Sequence, residues 1–164
     1  MPKEYWKEIA DDSKLIIVGI VEKRLKLIRP EKYKLKPDGS SPNDREFTVG
    51  ELFRVKVVKK LKGEIQGEKE LNSEFLYIFT PGGTSTHDTG NLLIEGEEFV
   101  FFLEPNKNEE EFTRLEIIEY KPKSDSIRKP FEPKPIYLIV YNSSGVVRVK
   151  NDRNKLIKEI KRAI

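Results

Sequence analysis

Hydrophobic and polar positions alternate most regularly between residues 45 and 103, and this stretch predicts three strands. In the first strand the apolar side chains recur at every second position, interrupted only at Glu51: Phe47, Val49, Phe53, Val55 and Val57. A period of two indicates one buried face and one solvated face. Gly50 lies inside this run and favours a bulge or a sharp bend. Gly63 is predicted to end the strand.

The second and third strands of this stretch are marked by aromatic residues and by firm stops. The second run places three aromatics on one face and two aliphatics on the other, so both faces are predicted to be covered: Phe75, Tyr77 and Phe79 against Leu76 and Ile78. It ends at Pro81, because proline donates no ladder hydrogen bond and the following glycines admit positive φ. The third run covers residues 99–103, follows a turn at 95–97 and ends at Pro105.

Shorter patterns on either side of this stretch predict the remaining elements. Residues 3–12 form a short amphipathic helix that packs Trp6 and Ile9 on the sheet. An apolar strand follows over residues 15–21 with a bend at Gly19, and the proline-containing stretch 29–44 is a long exposed loop. A further strand runs from 113 to 120.

The C-terminal third of the chain begins with a connector over residues 121–135 that contains four prolines and is therefore extended. Apolar runs at 136–141 and 146–149 flank a four-residue loop ending in glycine, which predicts a β-hairpin. Asp152 is suited to cap a final helix. Its apolar face is predicted to contain Leu156, Ile157, Ile160 and Ile164.

Together these elements predict a mainly β fold. We expect an OB-like (oligonucleotide/oligosaccharide-binding type) five-stranded Greek-key barrel with flanking N- and C-terminal helices and an extra C-terminal hairpin. The length of 164 residues suits one domain over residues 1–164. Within it we expect a core barrel at about 14–120, the proline-rich connector at 121–135, and the hairpin and C-terminal helix at 136–164.

Composition narrows the functional classes. The chain contains no cysteine, which excludes disulfides, thiolate metal sites and a cysteine nucleophile. No apolar run approaches the roughly 20 residues of a membrane helix, so a soluble protein is expected. Residues 121–164 contain twelve Lys or Arg and four Asp or Glu, a net +8, whereas the whole chain carries +3. Such polarity suits either a solvated helix face or contact with an anionic partner.

Four segments in this order carry a resemblance to a known family: SKLIIVG at 13–19, FRVKVVKKLKG at 53–63, YIFTPGG at 77–83 and GEEFVFFL at 96–103. Behind a short helix, they resemble the tissue inhibitor of metalloproteinases and netrin-like superfamily, and more closely its cysteine-free microbial relatives. The resemblance covers about residues 10–120 and implies an OB-like barrel with packed helices. It also implies an extracellular or cell-surface location if a targeting segment was trimmed, and otherwise a cytoplasmic one.

The inhibitory activity of the animal members does not follow from this resemblance. Those members chelate the protease zinc through the amine and carbonyl of an N-terminal cysteine, which disulfides brace. This chain begins Met1-Pro2 and contains no cysteine, so no position matches that motif. Inhibition of metalloproteinases is therefore not expected.

The loop after the second aromatic strand is the predicted functional segment. It contains the only histidine of the chain, His87, among hydroxyl-bearing residues. This segment suits either a Ser/His/Asp arrangement or metal site, or a solvated or ligand-contacting loop. Neighbouring loop residues rarely point at one another, and no second histidine or cysteine is present to complete a metal site. We therefore predict no catalytic residue, no metal and no cofactor, and a binding loop that contains Pro81, Gly82, Gly83, Thr84, His87 and Asp88.

Two functions from different classes remain open, besides an enzyme that only His87 favours. The first is a non-enzymatic module that binds an unknown protein partner through residues 80–91. The second is weak binding of single-stranded nucleic acid through the aromatic stripe Phe75, Tyr77 and Phe79 and the basic C-terminal segment. The aromatic strand itself contains no Lys or Arg, which favours the first function.

Overall fold

The computed structural model describes residues 3–32, 37–39, 47–65, 75–82, 92–107, 109–112, 114–119, 127–131 and 135–164. Its strands and helices are, in chain order, α1 (Lys3–Asp12), β1 (Leu15–Ile28), β2 (Thr48–Lys62), β3 (Phe75–Pro81), β4 (Glu98–Pro105), β5 (Glu116–Glu119), β6 (Ile127–Pro130), β7 (Ile136–Ile139), β8 (Val146–Arg148) and α2 (Arg153–Ala163). The predicted mainly β fold with two flanking helices is confirmed. No helix in the described ranges is long and apolar enough to cross a membrane.

All eight strands belong to one sheet, in the order β6-β5-β1-β2-β3-β7-β4-β8. Because β1 also pairs with β4, five of these strands form a ring: β1, β2, β3, β7 and β4. The β3–β7 pairing is parallel, and the other pairings of the ring are antiparallel. The N- and C-terminal parts of the chain therefore meet in one ring.

The first strand is longer than predicted, and its pairing with β2 is irregular. It runs over 14 residues, from Leu15 to Ile28, and pairs with β2 along most of its length. Its first half also pairs with β4, whereas residues 26–28 pair with β5. The pairing with β2 shifts register between Val18 and Gly19, at the position of the predicted bend, and again between Val21 and Lys23. A side chain at Gly19 would meet Val55 Cγ1 at 2.5 Å, so the close packing here favours glycine.

The fifth strand of the ring is a correction to the predicted order. It is β7, whereas β5, which falls in the predicted strand 113–120, lies outside the ring and pairs with β1 and β6. Residues 121–135 were predicted only to connect, but they contain β6. Alternation over four residues can indicate a strand, but the choice of partner depends on contacts between distant parts of the chain.

The predicted hairpin at 136–149 is also wrong. The two strands do not pair with each other; both pair with β4 in succession, Ile139 with Leu103 and Val146 with Phe101. Between them the Val140 N–H donates to the Phe102 carbonyl at 2.9 Å, which continues the same ladder. The expected turn residues, 142–145, form a 3₁₀ turn that leaves β4 and returns to it. Thus β7 and β8 both pair with the same edge of β4.

The buried side chains lie on both faces of the ring. Inside it, one cluster consists of Leu15, Ile17, Val21, Phe53, Val55, Ile65, Leu76, Ile78, Leu93, Phe99, Phe101, Leu103, Tyr137 and Ile139. Outside it, α1 and α2 cover Ile16 and Val18 of β1 with Val100 and Phe102 of β4. A third cluster covers the outer face further along β1 and β2, and contains Leu27, Leu52, Phe112, Leu115, Phe131 and Ile136.

Both helices lie where periodicity placed them. In α1, Trp6 stacks on Phe102 with ring centroids 5.8 Å apart, and Ile9 is fully buried. In α2, Ile157 and Ile160 are buried, but Ile164 is 49% exposed and does not belong to the buried face. Asp152 occupies the predicted N-cap position without a side-chain capping hydrogen bond.

Candidate binding surface

The predicted binding loop leaves the ring at the end of β3. Pro81 is exposed and lies opposite Gly50 of β2, and the Gly82 N–H donates to the Val49 carbonyl at 3.2 Å. Gly82 has φ +88°, which favours glycine. The other predicted site residues, namely Gly83, Thr84, His87 and Asp88, lie outside the described residues. The structure therefore fixes where the loop begins.

Beyond residue 91 the chain returns to the ring through residues 92–97, here called the return segment. Leu93 is buried in the ring interior, whereas Leu92 and Ile94 on either side of it are 49% and 50% exposed. The Gly96 N–H donates to the Val21 carbonyl at 2.7 Å, and the Val21 N–H donates to the Glu97 carbonyl at 3.0 Å. The segment therefore presents two aliphatic side chains from a backbone that is held against β1.

A buried ion pair joins the return segment to the start of β2. The Glu51 carboxylate is 3% exposed and accepts hydrogen bonds from both Nε and Nη2 of Arg24. The backbone N–H of Arg24 donates to the Glu95 carboxylate at 2.9 Å. Burial lowers the pKa of the Arg24 guanidinium from its ordinary value, and the Glu95 charge opposes this shift. Arg24 thus contacts both β2 and the return segment.

Next to this ion pair lies a buried hydroxyl. Thr80 is directly opposite Glu51 in the β2–β3 register and is 2% exposed. Within the part of the chain that the structure describes, its Oγ1 has no hydrogen-bond partner. Thr80, directly before the exposed Pro81, is therefore a polar residue that faces the inside of the ring. It lies at the end of the ring that also contains Arg24 and Glu51.

Sequence reasoning found only part of this arrangement. The break in alternation at Glu51 was a visible signal, because a carboxylate at a core position needs a partner. Arg24 carries no such signal, since it lies in the charged stretch Glu22-Lys23-Arg24 that looks like the end of a strand. Leu92 and Ile94 were missed because the third run was predicted to begin only at Phe99.

The aromatic stripe of β3 is on the outer face of the ring and is half-buried, whereas Leu76 and Ile78 on the inner face are buried. The strand beside it supplies the basic residues that β3 lacks, because Arg54 pairs with Tyr77 and Lys56 with Phe75. The Arg54 guanidinium lies 4.1 Å from the centre of the Phe75 ring. The sequence of β3 alone could not predict that β2 is its neighbour and places basic side chains beside the aromatic ones.

The acidic pair Glu97-Glu98 makes ion pairs with residues near the C-terminus. Arg148 donates to Glu97 at 2.5 Å, and Arg153 donates to Glu98 at 2.8 Å. These contacts link β8 and α2 to the start of β4. In the described ranges, no group of three or more His, Asp or Glu side chains is placed to hold a metal ion.

Comparison of the sequence with models of known protein families finds no match, and comparison with curated proteins finds no match either. Function is therefore inferred from the geometry of the molecule itself.

Proposed function

We propose that the protein is a non-enzymatic, OB-like binding module of the netrin type, and that it binds a protein partner at the end of the ring where β3 stops. The partner surface consists of the loop that begins at Pro81 and the return segment. The observation that carries this proposal is the pair of half-exposed aliphatic side chains, Leu92 and Ile94, on an anchored backbone.

Exposed aliphatic side chains are common singly on protein surfaces, but clusters of them mark interaction sites. Among the described residues the exposed large hydrophobic side chains are Val58, Leu92, Ile94, Tyr141 and Ile164. Leu92 and Ile94 lie two positions apart, and no other two of these residues are so close in sequence. They also flank Leu93, whose burial fixes the direction in which both neighbours point.

Anchoring makes this surface suited to binding. The hydrogen bonds of Gly96 to Val21 and of Arg24 to Glu95 hold the return segment before any partner arrives. A segment that is already ordered loses less conformational entropy on association, so more of its contact energy appears as affinity. Apolar side chains held in this way suit the fully buried centre of an interface, which is more apolar than its rim.

We propose further that the ring of five strands is an OB-like barrel. Five strands form the ring, β1 pairs with β2 on one side and with β4 on the other, and two helices pack on the outer face. Barrels of this type present binding residues on loops that rigid strands hold in place. The end of β3 is such a loop origin.

The proposal is tested by capturing the partner from extracts of the source organism with matched variants. Leu92→Asp combined with Ile94→Asp should abolish capture of the protein that the wild-type chain retains. Ile164→Asp is the control, because Ile164 is equally exposed but lies at the end of α2. Both variants should keep the wild-type unfolding midpoint. Equal capture by all three proteins would contradict the proposal.

The non-enzymatic part of the proposal has its own test. His87→Ala should bind the partner as the wild type does, and neither protein should hydrolyse a panel of ester, peptide and phosphate substrates. Hydrolysis by the wild type that is lost in His87→Ala would show an enzyme instead.

A further inference from the structure

In the part of the chain that the structure describes, a band of charged and aromatic side chains lies on the outer face of β1, β2 and β3, between the layers that cover the two ends of this face. On one side, α1 and α2 cover Ile16 and Val18 of β1. On the other side, the third cluster covers Leu27 of β1 and Leu52 of β2. The side chains that follow between these layers form what we call the basic-aromatic band: Lys23, Arg54, Lys56, Phe75 and Tyr77, of which Tyr77 also packs against the third cluster.

Strand register places these five side chains in two adjacent rows. Lys23 of β1, Arg54 of β2 and Tyr77 of β3 are partners across three neighbouring strands. Lys56 and Phe75 form the next row, two residues along β2 and β3. Lys56 is exposed, and the other four are half-buried. Neighbouring strands are about 4.8 Å apart, so the cations and the rings form one continuous surface.

The centre of the band is the contact between Arg54 and Phe75. The guanidinium carbon lies 4.1 Å from the ring centre, within the range of a cation–π interaction. One guanidinium nitrogen, Nη1, lies 3.4 Å from a carboxylate oxygen of Glu22, which is near but loosely paired. The Nε atom of Arg54 is buried and has no hydrogen-bond partner within the described residues. The Arg54 side chain as a whole is 37% exposed, so a ligand can contact its accessible part.

Further positive charge lies at the helix side of the band. Lys59 of β2 pairs with Val18, on the face that α2 covers, and is fully exposed. Its pKa lies below the ordinary value, first because of a hydrogen bond with Lys161 of α2 and then because of repulsion by the Lys161 and Arg153 charges. Two lysines from distant parts of the sequence are thus held close together. An anion between them would relieve their repulsion.

We propose that the basic-aromatic band binds single-stranded nucleic acid, with Phe75 and Tyr77 stacking on bases while Arg54 and Lys56 contact phosphates. Lys59 and Lys161 extend the phosphate path toward α2. Stacking on aromatic rings beside basic side chains is the general mode by which single strands bind without sequence readout. An acidic protein would use the charges but not the rings, so the half-exposed aromatic floor favours nucleic acid. The inference rests on other residues than the return segment and is independent of it.

The test measures fluorescence anisotropy of a labelled oligo(dT) of about 15 nucleotides at low salt. We expect Phe75→Ala to weaken binding by about tenfold or more, because one stacked base contributes that much. Lys56→Glu should weaken binding and reduce the slope of log affinity against log salt by about 0.7, the value for one phosphate contact on a single strand. The matched control is Lys155→Glu, which makes the same charge change at an exposed position of α2 that is away from Ile157 and Ile160.

Each other outcome would overturn the proposal. If the wild-type protein does not bind oligo(dT) at low salt, the proposal is wrong. An equal loss in Lys155→Glu and Lys56→Glu would mean that net charge, and not the band, attracts the strand. If a labelled poly-glutamate peptide binds as tightly and Phe75→Ala has no effect on oligo(dT), the surface recognises acidic chains in general.

A second readout follows the lysines themselves. In NMR titrations of the Lys59 side chain, addition of oligo(dT) should raise the pKa of its ammonium, because phosphate stabilises the charged form. The NMR signals of the Lys155 side chain should move much less. Equal shifts at both lysines would contradict a localised path.

Discussion

At the scale of single residues, the unusual feature is a charged pair at a core position. Glu51 lies where the alternation of β2 calls for an apolar side chain, and its burial is tolerated because Arg24 donates to it twice. A buried pair of this kind adds little stability compared with apolar side chains of the same size, but breaking it leaves a charge without a partner. We therefore expect the ion pair mainly to position Arg24, whose backbone N–H also donates to the return segment.

Replacing Arg24 by methionine should destabilise the fold, because Glu51 would remain buried and unpaired. We expect a loss of about 2 kcal/mol in urea unfolding, less than for a fully buried pair because Arg24 is about a third exposed. The double variant Arg24→Met with Glu51→Leu should recover most of this loss. A double variant as unstable as the single one would contradict this explanation.

The glycine next to Glu51 should tolerate no side chain. A methyl group at Gly50 would lie 2.6 Å from Cε2 of Phe79 and closer still to the carbonyl oxygen of Thr80. Gly50→Ala should therefore lower the free energy of unfolding by about 1–3 kcal/mol, as overpacking does. Gly39→Ala is a useful comparison, because nothing lies within 4 Å of its added methyl group, and positive φ is its one source of strain. A larger loss at Gly39 than at Gly50 would contradict the close approach.

At the scale of elements, strand and helix positions were predictable, and strand partners were not. Period-two alternation located β2 and β3, and helical spacing of Trp6 and Ile9 located α1. As predicted, β2 ends directly before Gly63, which has a φ of +82°. Charged residues hid the second half of β1, because the stretch from Glu22 to Arg24 does not alternate, although Lys23 and Arg24 are half-buried and Arg24 pairs with Glu51. The hairpin prediction failed because β4 offers an edge that pairs with both β7 and β8.

The shared edge of β4 can be checked by NMR. Contacts between the backbones of Phe101 and Val146 should appear in nuclear Overhauser spectra, and the Val140 and Val149 amides should exchange slowly. The reason is that those amides donate to the Phe102 and Glu98 carbonyls, both at 2.9 Å. Cross-strand signals between residues 136–141 and 146–149 in place of these would support the hairpin.

The orientation of α2 is tested by two isoleucines, Ile160 within the helix and Ile164 directly after its last residue. Ile160 is fully buried, whereas Ile164 is 49% exposed. Ile160→Ala should cost about 3 kcal/mol in chemical unfolding, the usual range for removing a buried side chain of this size. Ile164→Ala should cost well below 1 kcal/mol. Similar losses at both positions would mean that α2 packs on a different face.

At the scale of the whole molecule, the ring depends on both ends of the chain. β7 lies between β3 and β4, so residues 136–139 complete a ring that begins at Leu15. Local pattern could not reveal this dependence, because the parallel pairing of β3 with β7 joins segments more than 50 residues apart in sequence. The basic-aromatic band has the same origin, since its residues come from three strands whose register only the folded molecule defines.

A chain that ends at residue 135 should therefore not fold cooperatively. Without β7, β8 and α2, one side of β3 and of β4 is unpaired and the outer cluster around Phe102 is uncovered. We expect no sharp unfolding transition by circular dichroism for this fragment. The full chain should unfold in a single transition. A fragment with the stability of the full chain would show that the ring does not need its C-terminal strands.

The central proposal, that Leu92 and Ile94 present a protein-binding surface, is tested most directly by site-specific photo-crosslinking. A photoreactive phenylalanine analogue is placed at position 92 in one protein and at position 164 in another, and both are irradiated in cells of the source organism. We predict that position 92 labels one defined protein and that position 164, which is equally exposed, does not. The same labelling at both positions, or none at position 92 in a correctly folded chain, would contradict the proposal.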